Sequence, residues 1–292
     1  MILSFLGAKI ARHMHNLGEK NLAQLTEIRL RSDKPLFART PKSEISTNFI
    51  VKAADITETM ERISRFSYYA FETELALGYI TLPGGHRVGI AGQAVVENGL
   101  VRAWRHIGSL TIRIAHSVKG CADPVLPFIY ENGRFFNSMI ISPPAFGKTT
   151  LLRDIIRQVS DGGLTVGLVD ERSEVAGCFQ GIAQNDVGKR TDVLDACPKA
   201  EGMVMLLRAM SPHIVAVDEL GGEKDANAVE QVINAGVKLL CTAHGYDLED
   251  VQSNPYLTRL FQRGVFERFI VLRAHGEVRD IYDKEGALCL CD

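Results

Sequence analysis

From Ala54 to Leu77 the apolar residues Ile56, Met60, Ile63, Phe66 and Phe71 follow an acidic start at intervals of roughly three to four residues. That spacing predicts one or two amphipathic helices. The rhythm then changes. GYITLPGGHRVGIAGQAVVENGLVRA sets turn signals at Pro83-Gly84-Gly85 and at Asn98-Gly99 between apolar or alternating runs, so it predicts hairpin strands. SLTIRIA predicts another strand. Ahead of these, the first ~30 residues read as helix. LTEIRLR and SDKPLFA predict two short strands about a turn at Asp33 to Pro35.

VKGCADPVLPFIYENGRFFN, from Val118 to Asn137, combines two prolines with several turn residues and reads as an interdomain connection. A boundary near Gly120 gives an N-terminal α+β domain, residues 1–120, and a second domain, residues 121–292. There the pattern runs SMIIS, KTTLLRDIIRQVS, TVGLVDE, EGMVMLLRAM, HIVAVDE, DANAVEQVINAG, KLLCTA. Short apolar strands alternating with helices imply an α/β fold with a mainly parallel sheet covered on both faces. NDVGKRTDVLD falls in a long connection, and FERFIVLRAHGEVRDIYDKEGALCLC predicts strands added at one edge. No internal repeat or low-complexity tract interrupts this order, which sets aside solenoid and disordered readings.

Composition agrees with two ordinary cores: 292 residues, 46% hydrophobic. The formal net charge is -2, and lysines and arginines are scattered along the chain, so no nucleic-acid partner is expected. Cys121, Cys178, Cys197, Cys241, Cys289 and Cys291 have neither CxxC spacing nor a secreted framework, which suits a reducing compartment and burial as ordinary core residues. The histidines show no metal-ligand spacing. No run of about 18 apolar residues occurs, so the expected location is cytoplasmic, with any membrane contact made through partner proteins.

SPPAFGKTT, from Ser142 to Thr150, follows an apolar strand and opens a helix, which is the setting a phosphate loop requires. Amides of the loop and helix start would hold phosphates, Lys148 would reach the outer ones, and Thr149 would place a hydroxyl on magnesium. The full GxxxxGK[ST] pattern is not met, because Ser142 stands at its first glycine and Ala145 and Phe146 lie mid-loop. Pro143 and Pro144 fix φ where glycine would leave it free, and Ser142 offers a further hydroxyl. About 70 residues on, HIVAVDE is a strand ending in two carboxylates. In a phosphate-loop sheet Asp218 would hold magnesium through water beside Thr149, and Glu219 would activate the attacking water. An ordinary strand followed by an acidic helix cap is the plainer alternative.

DERSE, Asp170 to Glu174, ends another predicted strand, at the edge where open α/β sheets bind ligands. Glu171 is a candidate for positioning water or metal, and Arg172 for neutralising phosphate or pairing with a carboxylate. His244 in TAH ends a further strand and is a candidate γ-phosphate sensor. Arg190 and Arg208 are candidate phosphate contacts, with surface salt bridging as the alternative. Arg87 and Arg113 are candidates to act across a subunit or domain boundary.

With these residues assembled, the chain resembles the stage III sporulation protein AA family of endospore-forming bacteria, relatives of the hexameric ATPases of type II and type IV secretion. The resemblance spans nearly the whole chain and is carried by EIRLRSDKPL, GYITLPGGHRVGIAGQAV, PPAFGKTTLLRDI, GLVDERSEVAG, QNDVGKRTDVLDACPKAEGM, LLRAMSPHIVAVDE and TAHG. It implies a RecA-like second domain, with SPPAFGKTT as Walker A loop, VAVDE as Walker B strand, DERSE as Asp box and TAHG as His box. Gly222 departs from the arginine common after that family's DEIG.

The combined expectation is a P-loop ATPase. Its ATP would be held by Ser142, Pro143, Pro144, Ala145, Phe146, Gly147, Lys148, Thr149 and Thr150, and its Mg2+ by Thr149 and Asp218 through water. Glu219, Glu171, His244 and Arg208 are the expected catalytic residues. The resemblance further implies a hexameric ring at the mother-cell side of a membrane, working on channel proteins of the sporulation complex. A nucleotide-binding assembly scaffold with little turnover is the rival reading. A RecA-like nucleic-acid motor is a third, and it would show salt-sensitive binding to single strands.

Overall fold

Alternating segments in the first part of the chain become strands of one antiparallel sheet, while the apolar runs of the second part become a mainly parallel one. The computed structural model describes residues 2–64, 72–116, 118–273 and 276–291. The chain divides into two compact units, 1–116 and 117–292.

In the first unit a turn of 3-10 helix (Ile2–Phe5), α1 (Ala8–His15) and α2 (Glu19–Ala23) precede β1 (Glu27–Arg31), β2 (Pro35–Arg39) and β3 (Glu44–Ile50). Then come α3 (Ala53–Ile63), α4 (Glu72–Ala76), β4 (Tyr79–Leu82), β5 (His86–Glu97) and β6 (Leu100–Arg113). The sheet order is β3-β2-β1-β6-β5-β4. Period-two alternation decides its faces: Ile28, Leu30, Leu36, Ala38, Val88, Ile90, Leu110 and Ile112 are buried, as are Ile10, Met14, Ile56 and Met60 of the helices. Each of these side chains larger than alanine contributes about 1.5–3 kcal/mol by leaving water.

Strand register puts Arg29, Arg31, Arg39, Arg87 and Arg113 together on the opposite face. Arginines scattered in sequence thus share one face of the sheet, with Glu27 in register with Arg39 and Arg113 and Glu44 opposite Arg39.

Other expectations shift for local reasons. The expected N-terminal helix is three short pieces, interrupted at Gly7 and at Gly18, whose φ of 81° ends a helical run. β3 was not anticipated. SLTIRIA is no separate strand: β6 runs unbroken from Leu100 to Arg113, paired with β5 through three irregularities of register. At one of them a Cβ on Gly92 would lie 2.0 Å from the His106 carbonyl oxygen, so only glycine fits. Asn98 and Gly99, at φ 52° and 78°, form the tight turn their sequence predicts. The helical stripe from Ala54 is α3, then α4; Phe66 and Phe71 lie outside the described residues.

The second unit begins with α5 (Leu126–Ile129), β7 (Tyr130–Glu131) and β8 (Arg134–Phe135). Next come β9 (Ser138–Ser142), α6 (Lys148–Asp161), β10 (Val166–Asp170), β11 (Thr191–Asp195), α7 (Lys199–Met210), β12 (Ile214–Val217), α8 (Glu223–Asn234) and β13 (Lys238–His244). Finally α9 (Leu248–Gln252), α10 (Thr258–Gln262), β14 (Arg268–Leu272), β15 (Val278–Asp283) and β16 (Leu288–Cys291) complete it. The strand order is β11-β10-β12-β13-β9-β14-β15-β16, parallel as far as β14 and antiparallel beyond.

Both faces of this sheet are covered. On one, Leu151, Leu152, Ile155 and Ile156 of α6 pack with Ile140, Leu168, Ala216 and Leu240. On the other, Met203 and Leu206 of α7 and Val229 and Val232 of α8 pack with Met139, Ile141, Val215, Val217 and Leu239.

The segment read as a connection, from Val118 to Asn137, folds into this unit: Ala122, Val125, Ile129 and Phe135 join the α6 core. Asp154 accepts the Ala122 N–H at 2.9 Å, which pins the segment to α6. NDVGKRTDVLD likewise contains β11, whose TDVLD pairs with β10. Cys178 and Cys241 are buried, Cys121 and Cys197 partly so, and Cys289 is exposed; the Cys291 side chain lies outside those described. Among the described residues no helix is long and apolar enough to cross a membrane.

Candidate functional site

Because β9, β10, β12 and β13 are parallel, Ser142, Asp170, Asp218 and His244 arrive at one edge of the sheet, where open α/β sheets bind ligands. β13 lies between β9 and β12, so the turn after β9 meets the acids after β12 across the end of β13.

From β9 the loop Pro143, Pro144, Ala145, Phe146, Gly147 leads into α6. Ala145 and Gly147 take φ of 65° and 96°. The left-handed turn therefore forms although alanine occupies one of its positions, at about 1–2 kcal/mol for its Cβ. Among the described residues, the amides of Ala145, Phe146, Gly147 and Lys148 donate to no backbone carbonyl. These are donors at a helix start, the arrangement that suits an anion. The Ser142 hydroxyl is used within the loop's own backbone. The residue is fully buried, and its Oγ donates to the Pro143 carbonyl at 2.9 Å. Thr150, on the first turn of α6, is partly buried.

Lys148 is folded inward. Its Nζ donates to the carbonyls of Ser142 at 2.8 Å and Pro143 at 3.1 Å, and lies 3.1 Å from His244 Nδ1. Burial lowers its pKa, with Asp218 and Glu219 acting against that shift. Thr149 Oγ1 donates to Asp218 Oδ2 at 2.9 Å, and Thr242 Oγ1 donates to Asp218 Oδ1 at 2.5 Å. Burial raises the Asp218 pKa, while these two hydroxyls oppose the rise.

Glu219 is held twice, by Arg172 Nη1 at 2.6 Å and by His244 Nε2 at 2.9 Å. Glu171 pairs with Lys199 Nζ at 2.7 Å. Asp170, Glu171, Arg172, Lys199, Asp218 and Glu219 line a single crevice.

Asp170 has a different part. Its carboxylate accepts the N–H groups of Glu174, Val175, Ala176 and Gly177 at 2.8–3.4 Å, organising the loop that carries Glu171 and Arg172. Burial nevertheless raises its pKa. Arg153 of α6 braces the same loop by donating to the carbonyls of Glu174 and Val175 at 2.7 and 2.6 Å.

Two arginines stay apart from this edge. α7 starts near it, through Lys199, and runs back toward the start of β12. Nine residues on, at about 1.5 Å each, Arg208 lies far down the helix, lining a groove between α7 and α8. Arg190 immediately precedes β11, at the opposite edge of the sheet. Neither joins the cluster of its own chain. Lys199, Thr242 and Arg153 do contribute: each lies inside a quoted stretch (QNDVGKRTDVLDACPKAEGM, TAHG and PPAFGKTTLLRDI), but nothing in the residue type alone marks it for this role.

The donor set fits magnesium better than a softer metal. Among the described residues no group of three or more His, Cys, Asp or Glu forms a cage. One hydroxyl and one carboxylate suit an ion that keeps most of its water.

This architecture, an antiparallel sheet in the first part and a mainly parallel one in the second, is shared with solved ATPases. The Legionella pneumophila ATPase DotB superposes with a TM-score of 0.60 at 18% identity, covering 89% of this chain and 75% of that one. The pilus retraction motor PilT, solved with bound ADP, gives 0.60 at 13% identity, covering 87% and 76%. The chain belongs to the family Sporulation stage III, protein AA, whose family model matches residues 1–289. Stage III sporulation protein AA of Bacillus subtilis (strain 168) is 41% identical over 293 residues, 98% of this chain and 95% of that protein.

Proposed function

We propose that this chain binds ATP with magnesium and hydrolyses it, as a subunit of a hexameric secretion-type motor. The motor energises or gates a membrane channel complex between mother cell and forespore, held on the mother-cell side of the membrane by partner proteins. The observation that carries the reading is the meeting of Thr149 with Asp218, and of Lys148 and Glu219 with His244, at one sheet edge. The family and the fold of secretion ATPases add support.

In this reading the loop amides from Ala145 to Lys148 receive phosphate oxygens, and Lys148 leaves the carbonyls of Ser142 and Pro143 for the outer phosphates. Magnesium, held by Thr149 and by Asp218 through water, supplies positive charge beside those phosphates. Glu219 accepts the proton of the attacking water, which requires that it give up Arg172, His244 or both. His244, already touching Lys148 and Glu219, reports which of them is engaged. Glu171, paired with Lys199, sits in the same crevice as a second carboxylate that orders water.

The test is magnesium-dependent phosphate release. Glu219→Gln is expected to lower it about 100-fold or more, and equal background rates from wild type and variant would sink the enzymatic claim.

A second reading, an assembly scaffold with little turnover, has its own observations: Ala145 strained at φ 65° and Glu219 tied by two partners. Size measurements with ATP, with a non-hydrolysable analogue and without nucleotide separate the two. Equal assembly with either nucleotide and no phosphate release favours the scaffold.

A further inference from the structure

We propose that Thr242 is the positioning residue for both acids that follow β12. It lies on β13, fully buried. Its hydroxyl accepts the Glu219 N–H at 2.8 Å and donates to Asp218 Oδ1 at 2.5 Å, and its carbonyl accepts the Leu220 N–H at 2.9 Å. An amide has only a proton to give, so Glu219 occupies the acceptor side of the hydroxyl and the single hydroxyl hydrogen goes to Asp218. Three successive residues are thereby held from one position.

This hold answers a geometric problem. Were the strand geometry of β12 continued past Val217, adjacent residues would point to opposite faces, yet Asp218 and Glu219 line the same crevice. The alternation is broken at Glu219, whose φ is 59°. A non-glycine residue stays in that region only where its surroundings over-determine it. Thr242 supplies that determination: its hydroxyl fixes the Glu219 amide and its carbonyl fixes the next one. Valine would keep the branched shape and lose the hydroxyl, leaving the Glu219 amide and one Asp218 oxygen without this partner. Serine would keep both bonds.

For its catalytic consequence the inference rests on the proposed ATP hydrolysis, but its structural part is tested without nucleotide. Amide hydrogen exchange in the nucleotide-free full chain is expected to quicken at Glu219 by about tenfold or more in Thr242→Val. Leu220, bonded to the unchanged carbonyl, keeps its wild-type rate within about twofold, and Thr242→Ser keeps both.

With ATP and magnesium, Thr242→Val is expected to lower kcat about tenfold or more with KM for ATP within about threefold, and Thr242→Ser to restore kcat. Unchanged exchange at Glu219 in the valine variant, or failure of serine to restore it, overturns the proposal. Background turnover by the wild type would instead overturn the hydrolytic reading, while the exchange rates would still decide what Thr242 holds.

Discussion

Ala145 is the residue at which this phosphate-type loop departs most from what its backbone asks. Its φ of 65° belongs to glycine. Two opposing effects set the result of Ala145→Gly: relief of about 1–2 kcal/mol of strain, and an entropy loss of about 0.5–1 kcal/mol as the unfolded chain gains freedom. The strain is the larger, so the variant is expected to be more stable by about 0.5 kcal/mol. Denaturant unfolding checks this, and a lower midpoint would show that the turn is unstrained. The neighbouring GK-Thr was readable from sequence because each of its groups has a distinct chemical task. The inward fold of Lys148 was not, since its partners Ser142, Pro143 and His244 come from two different strand ends.

At the scale of elements, the loop after β10 shows how one buried carboxylate builds a functional segment. Asp170 accepts four successive amides and so shapes the stretch that presents Glu171 and Arg172 to the crevice. Asparagine has one acceptor oxygen where Asp170 uses two. Asp170→Asn is therefore expected to cost about 2 kcal/mol in folding stability and to loosen the loop, visible as faster proteolysis within it. Wild-type stability and wild-type cleavage together would show that the carboxylate is not what holds the loop. DERSE was legible as an acidic strand end, but the division of labour inside it was not: Asp170 faces inward to amides while Glu171 meets Lys199 from α7. The same limit hid β11, whose pairing depends on β10 far upstream.

For the whole molecule, each unit is a separate compact body by contact, and both cores of the second are built from residues beyond 117. Residues 117–292 expressed alone are accordingly expected to unfold in one cooperative thermal transition and to bind ATP with magnesium. A non-cooperative melt would show that the first unit is needed for the fold.

By itself the sequence determined most strands and helices of the mainly parallel second sheet (though not β11), the tight turn at Asn98-Gly99 and the chemical identity of Lys148, Thr149, Asp218 and Glu219, because these follow from local periodicity, φ preference and side-chain type. Only the tertiary structure decided that β13 lies between the two motif strands, that Thr242 binds both acids, that five dispersed arginines share one sheet face, and that Arg208 and Arg190 lie away from the crevice. Those outcomes depend on strand order, register and the direction in which a helix runs, quantities set by packing between segments far apart in the chain.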